Sequence, residues 1–310
     1  MNAEPESEVT RELKGHAPRS EATVPDGGRV VMAVPFLAMA TLIALFMLGV
    51  IGDRSRIDGL PMSIPLMFGS MFGAGGLWLM VSGIRGERRL RRLREGLRLA
   101  PEEPWRWEHP WRTRVQDSTR ALAWGELLFL LIWFSFLAPF HELFGWNKTL
   151  ILMDLVGAVV LGHALYALAR SLRFGRTELE LGRVPFHLGE TFEAALLPTP
   201  ALTRLERVTV TLRCIEERPE PRGHGKDRWM AVIGYELYSI RDQLDADALR
   251  EGRPLPIRFA LPSGPGTLGT RLSDRPPHFW ELAVESEVRG LDYRASFLVP
   301  IYASARRSSK

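Results

Sequence analysis

Cysteine is all but missing from this chain, whose 310 residues contain one, Cys214. A single thiol can form neither an internal disulfide nor a thiolate metal cluster, and its place in an apolar run predicts a small buried residue instead. Histidine is sparse too. The seven stand at 16, 109, 141, 163, 187, 224 and 278, and none is spaced from another as a ligand pair, so the sequence offers no metal site and calls for no cofactor. "HE" at 141–142 would open a zinc-protease motif only with a second histidine at 145, where Gly145 stands. "GPGTLG" at 264–269 spells the dinucleotide fingerprint, yet "TRLSDRPPHFW" behind it lacks the helix whose N-terminus would hold phosphate. No nucleophile, base and orienting group fall into a motif, so the reading is that the chain is not an enzyme.

Charge is missing from long stretches as well. Residues 30–51, 62–83, 120–140 and 149–169 are each about twenty residues long and mostly apolar, enough for a helix to cross a hydrocarbon core of about 30 Å. Four such segments predict four transmembrane helices in two hairpins over 29–170. The first is not read as a cleaved leader, because a long polar stretch precedes it and "AMA" at 38–40 falls in its middle. A stripe of Gly69, Gly73 and Gly76 predicts close helix packing.

What is abundant is arginine, concentrated between the second and third segments. From Arg85 to Arg120 the chain carries eleven arginines against six acidic residues, while the turns at 52–61 and 141–148 carry two and one basic residues. Basic loops stay in the cytoplasm, which predicts both termini and the 85–118 loop on that side, and Arg170, Arg173 and Arg176 agree. Along "RGERRLRRLREGLRL" (85–99), Leu90, Leu93, Leu97 and Leu99 form a stripe with Ile84 just before it, and Arg88, Arg91, Arg92, Arg94 and Arg98 lie around it. That pattern predicts an amphipathic helix held on anionic lipid headgroups. Nucleic acid is set aside as a partner because no recognition module accompanies the run. In "LAPEEPWRWEHPWR" the prolines preclude a long helix, and Trp105, Trp107 and Trp111 are expected to anchor at the membrane interface or to dock the soluble domain.

Ionisable residues within the apolar segments need partners. If the third and fourth segments form a hairpin centred near residues 144 and 145, Glu126 comes level with His163, and Asp154 with Ser135. One reading is a clasp that fixes hairpin register. The sharper one is proton or ion translocation, making the chain a component of a transporter or channel.

Past residue 170 the periodicity changes from helical to alternating. "TELELG" (177–182), "TFEAALL" (191–197), "LERVTVTLRCI" (205–215), "WMAVIGYELYSI" (229–240), "LPIRFALP" (255–262), "FWELAVES" (279–286) and "LDYRASFLVPIY" (291–302) are strand-length runs separated by Gly/Pro breaks. They predict two antiparallel sheets packed face to face over 171–303, as in immunoglobulin-like sandwiches. Residues 1–28 are polar and expected to be disordered, and 304–310 to be a basic tail.

"PEEPWRWEHPW" and "FWELAVESEVRGLDYRASFLVPIY" make the chain resemble, over about residues 30–302, a family of bacterial membrane proteins of unknown function with an arrestin-like β-sandwich. Pro110 stands where those proteins carry an acidic residue. The resemblance implies a bacterial inner-membrane location and an arrestin-like cytoplasmic sandwich, and it brings no catalytic residues. The expected function is a membrane anchor presenting a sandwich to an unidentified cytoplasmic or membrane protein, as scaffold or sensor.

Overall fold

A computed structural model describes residues 11–14, 16, 18–19, 28–51, 62–117, 120–223, 228–263, 266–288 and 290–303. The expected tail at 304–310 lies outside them. The chain divides into two compact units, a helical one of residues 25–91 and 120–169 and a β-rich one holding the rest.

The helical unit contains α1 (Arg29–Met47), most of α2 (Ser63–Leu99), α3 (Arg120–Phe144) and most of α4 (Lys148–Phe174). Among the described residues α1, α2 and α4 are long and apolar enough to cross a membrane. The fourth expected span coincides with α3, and many of its side chains lie outside the described set. The glycine stripe packs α2 on α1. A Cβ at Gly76 would stand 2.8 Å from the Leu37 side chain, and one at Gly83 only 2.6 Å from the Val30 backbone nitrogen. Glycine is what admits so close an approach between two apolar helices. The α3–α4 turn is equally local in origin. Gly145 takes a φ of +63°, and Asn147 Oδ1 accepts from the backbone N–H groups of Thr149 and Leu150, both at 3.0 Å, capping α4.

The arginine stretch, expected as a helix of its own after a span ending near Ile84, is continuous with that span as the end of α2, one helix of 37 residues. Arginine and leucine are good helix formers, the glycines at 86 and 96 are isolated, and Glu87 pairs with Arg91 one turn on at 3.1 Å. The helix stops at Leu99, just short of Pro101.

The β-rich unit is a sandwich. One sheet has the order β1 (Arg11–Glu12), β7 (Trp229–Asp245), β6 (Arg207–Arg222), β9 (His278–Ser286), β10 (Tyr293–Val299). The other runs β2 (Arg114–Gln116), β3 (Glu178–Leu181), β5 (Thr191–Leu196), β8 (Leu255–Ala260). Every pairing within these two sheets is antiparallel. Alternation decides which side faces inward: in β8, Leu255, Ile257 and Phe259 are buried while Pro256, Arg258 and Ala260 are exposed. These meet Phe192, Leu212, Trp280, Val284 and Phe297 in one core, each large apolar side chain contributing roughly 1.5–3 kcal/mol by burial. The run 291–302, expected as a single strand, is broken by Pro300, which cannot donate to a ladder. Its last residues form β11 (Ile301–Tyr302), which pairs parallel with β4 (Phe186–His187).

Two expected boundaries are corrected. Residues 92–119 belong with the sandwich, not with the helices, because β2 in the expected loop pairs with β3, Arg114 opposite Glu180, and Val115 packs on the core. Within the segment 1–28, expected to be disordered, Arg11–Glu12 is a strand on the edge of β7, opposite Glu236 and Tyr235. A polar composition misleads there because the described residues are held by partners on the sheet, Leu13 by an apolar cluster, His16 by Glu217 and Arg19 by Glu281.

Candidate functional site

The outer face of the five-stranded sheet, turned away from the core, is where polar side chains gather. Strand alternation places Arg213 of β6, Glu281 of β9 and Ser296 of β10 on it, and a second, smaller apolar cluster of Ile215, Leu272, Phe279 and Leu298 lies beside them. The N-terminal segment crosses this face. From β1 the Leu13 N–H reaches the Gly234 carbonyl at 2.9 Å, and Leu13 packs on the smaller cluster. The His16 ring lies over Gly234, where any side chain would collide, and its Nε2 meets Glu217 Oε1 at 2.8 Å. Arg19 is the last described residue of this segment before Gly28. Its backbone N–H donates to Glu217 at 2.9 Å, its Nε donates to Glu281 at 2.9 Å, and its Nη2 reaches both Glu281 and Ser296.

Arg213 grips Glu281 from the other side, with Nη2 to Oε1 at 2.5 Å and Nε at 3.1 Å. Burial by itself would raise the Glu281 pKa, but the two guanidiniums overcome it and hold the carboxyl down at about 2. Nearby, His278 Nε2 lies 2.6 Å from Glu216 Oε2, and Arg218 pairs with the same carboxylate. Burial, assisted by Arg271, lowers the His278 pKa.

Beside Arg19 opens a cleft of about 340 Å³, lined among others by Trp111, Arg112, Arg114, Gln116 and Leu298. Three guanidiniums, of Arg19, Arg112 and Arg114, share that lining with the apolar Val115 and Leu298. Among the described residues no group of three His, Cys, Asp or Glu side chains is disposed to hold a metal. Cys214 faces the core, and burial pushes its thiol up, far from a reactive thiolate.

The expected tryptophans pack on protein. Trp107 is buried against Gly96 at the end of α2 and donates to the Ala100 carbonyl at 2.9 Å. Trp105 stands edge-on to Tyr302 and His187, and Trp111 donates to Tyr302 Oη at 2.9 Å. At their centre is the buried carboxyl of Glu108. It accepts from the Ser273 N–H at 3.1 Å and hydroxyl at 2.5 Å, with Tyr302 Oη at 3.4 Å, and burial raises its pKa.

Arg88, Arg91, Arg92, Arg94 and Arg98 are all exposed along α2. The side chains of Glu126 and Ser135 lie outside the described residues, so the expected Glu126–His163 contact does too; the described His163 is exposed. Asp154 has a partner that differs from expectation: His141 Nε2 lies 3.0 Å from Asp154 Oδ2. The turn runs from Gly145 to Asn147, later than expected, which shifts the level of Asp154 past Ser135 toward the end of α3. "GPGTLG" ends in a single 3-10 turn at Gly266–Leu268, whose Leu268 carbonyl accepts from Trp280 Nε1 at 2.6 Å. It is a structural loop.

Sequence reasoning missed the outer-face cluster. Glu281 had a signal, being an acid flanked by Phe279, Trp280, Leu282, Ala283 and Val284, whereas nothing near Arg19 announced a buried ion pair.

No protein-family model and no curated protein matches the chain. Among solved structures the sporulation control protein Spo0M of Bacillus subtilis aligns with 41% of this chain and 49% of its own, about half its length, at 13% identity and a TM-score of 0.22.

Proposed function

We propose that the chain is a non-catalytic, four-crossing membrane protein of the bacterial inner membrane, which presents an arrestin-like sandwich in the cytoplasm to another protein as scaffold or sensor. The observation that carries the binding role is the edge of β7. This strand has 17 residues, and among the described residues its outer side is engaged at Tyr235 and Glu236 by the two-residue β1 and at the Gly234 carbonyl by Leu13. An edge that already accepts one extended segment has the hydrogen-bonding groups to accept another.

The anchoring role draws support from chain connectivity. Residues before α1 (Arg11 to Arg19), between α2 and α3 (Arg114 to Gln116) and after α4 all join the same sandwich. They therefore share one side of any membrane, and each helix pair must cross it an even number of times. With α1, α2 and α4 of spanning length, that parity favours α3 as a fourth span. The ion pair of Asp154 with His141 favours the clasp reading over translocation for that residue.

A photo-crosslinking amino acid at Arg241 or Gln243, exposed on β7, tests the binding role when compared with Glu193 and Arg258, exposed on the other sheet. In native membranes the β7 positions should give one discrete adduct and the others none. Equal labelling from both sheets, or none from either, would remove the edge as the binding site.

A further inference from the structure

Strands β6 and β7 outrun the sheet that contains them. Strand β9 pairs with β6 only as far as Glu216 opposite His278, whereas β6 and β7 continue together to Arg222 opposite Trp229. Beyond the β1 contact at Tyr235 they form a two-stranded ribbon with, among the described residues, no further strand beside it. A ribbon of that kind is marginal alone in water. Its composition is unusual for a solvated arm. Trp229 is 60% exposed, Met230 64% and Val232 41%. Register places Met230 and Val232 opposite Pro221 and Pro219, both exposed, so one face of the ribbon is apolar, while Trp229 stands opposite Arg222 on the other face at the ribbon's end. Between 218 and 232 the chain carries four basic residues against two acidic ones. Among the described ones, Arg218 is held by Glu216 and lies over the Tyr235 ring, Arg222 pairs with Glu12, and Arg228 is exposed.

We infer that the tip of the β6–β7 ribbon is a membrane-contact surface that seats Trp229, Met230 and Val232 in the headgroup layer of an anionic bilayer. The inference rests on the anchored reading above and goes beyond it. An indole and a methionine beside arginines suit the interface, where the apolar parts leave water and the guanidiniums meet phosphate. The bilayer is also the surface most available. Three residues, Gly175 to Thr177, join α4 to β3, and so short a tether gives the sandwich a high effective concentration of lipid, enough to make a small patch effective. A second copy or a peptide partner would have to be recruited without that advantage.

The test uses the full chain carrying Met230→Cys, labelled with a polarity-sensitive fluorophore; the native Cys214 is buried and does not compete. The protein is reconstituted into vesicles of phosphatidylethanolamine and phosphatidylglycerol, or of phosphatidylcholine alone, with lipids brominated near the glycerol end of their chains as quenchers. Flotation after alkaline carbonate washing first establishes insertion, and a chain that fails to float overturns the anchored reading and this inference together. In floated anionic vesicles the probe at 230 should blue-shift and be quenched at least twofold more than one at Glu251→Cys, on an exposed loop of the sandwich. The quenching should fall in phosphatidylcholine and in the Arg222→Ala, Arg228→Ala double variant. A probe that stays in water although the chain floats overturns the inference alone and leaves the ribbon to a protein partner. Quenching as strong in phosphatidylcholine as in anionic vesicles overturns it as well.

Discussion

Two buried glutamates, Glu281 and Glu108, have their pKa values moved in opposite directions, and that difference can be measured. Glu281 lies between Arg19 and Arg213 with its carboxyl held near 2, below its ordinary value of 4.5. A carboxyl whose pKa is lower folded than unfolded stabilises the fold fully above the ordinary value, and that stabilisation is lost as pH falls from there toward 2. Glu281→Gln should therefore cost about 3 kcal/mol or more at neutral pH by stranding two guanidiniums, and it should flatten the acid side of the stability profile. Glu108 behaves the other way. Its raised pKa means that the folded state favours the proton, so the glutamate weakens the fold as pH rises past its ordinary range. Glu108→Gln should lie within about 1 kcal/mol of the parent at neutral pH, or above it. Denaturant titrations of the purified full chain in detergent, followed by near-ultraviolet circular dichroism, check both. Equal losses from the two variants would contradict the assigned environments.

At the scale of elements, what could be read from sequence was periodicity, and what could not was partnership. All seven expected strand runs contain a strand, because alternation such as that of Leu255, Ile257 and Phe259 is a local property of the chain. The extension of β6 past the expected Ile215 to Arg222 was hidden by Pro219 and Pro221, beside which, among the described residues, no third strand demands their missing N–H groups. The two-residue and three-residue strands β1 and β2 have no pattern of their own. They exist because β7 and β3 offer edges to them. The tryptophans were legible as important and not as partners of Gly96, Tyr302 and His187, since such contacts span sequence distances that no local pattern encodes. Among helices, the glycine stripe was legible because small residues at helical spacing have one main use. Gly83→Ala should accordingly destabilise the α1–α2 pair by roughly 1–3 kcal/mol through overpacking against the Val30 backbone. Gly162→Ala, with open space around it, should be neutral or slightly stabilising. Thermal melts of the two variants in the same detergent compare them directly, and an equal effect would mean that α1 and α2 do not pack this closely.

For the whole molecule, the decisive constraint comes from the sandwich and not from hydropathy. Three stretches separated by helices of spanning length are built into one β-rich unit, and a strand cannot hydrogen-bond to its neighbour through a bilayer. If α3 does not cross, α4 does so alone, and β2 and β3 fall on opposite sides although Arg114 pairs with Glu180. The proposed topology puts the turn after α3, like the connection between α1 and α2, on the far side from the three stretches that build the sandwich. Cysteines at Arg11, Glu102 and Glu251 should then react with a membrane-impermeant maleimide in inverted vesicles and not in intact cells, while Trp146→Cys, on the exposed turn between α3 and α4, should do the reverse. The arginines predict which side is which, and the strand pairing predicts that the first three sites agree. A Trp146 cysteine labelled from the same side as the others would keep the sandwich but leave the second helix pair lying on the membrane. Disagreement among the first three would contradict the sandwich itself, because no arrangement of crossings can then bring Arg19, β2 and β9 together.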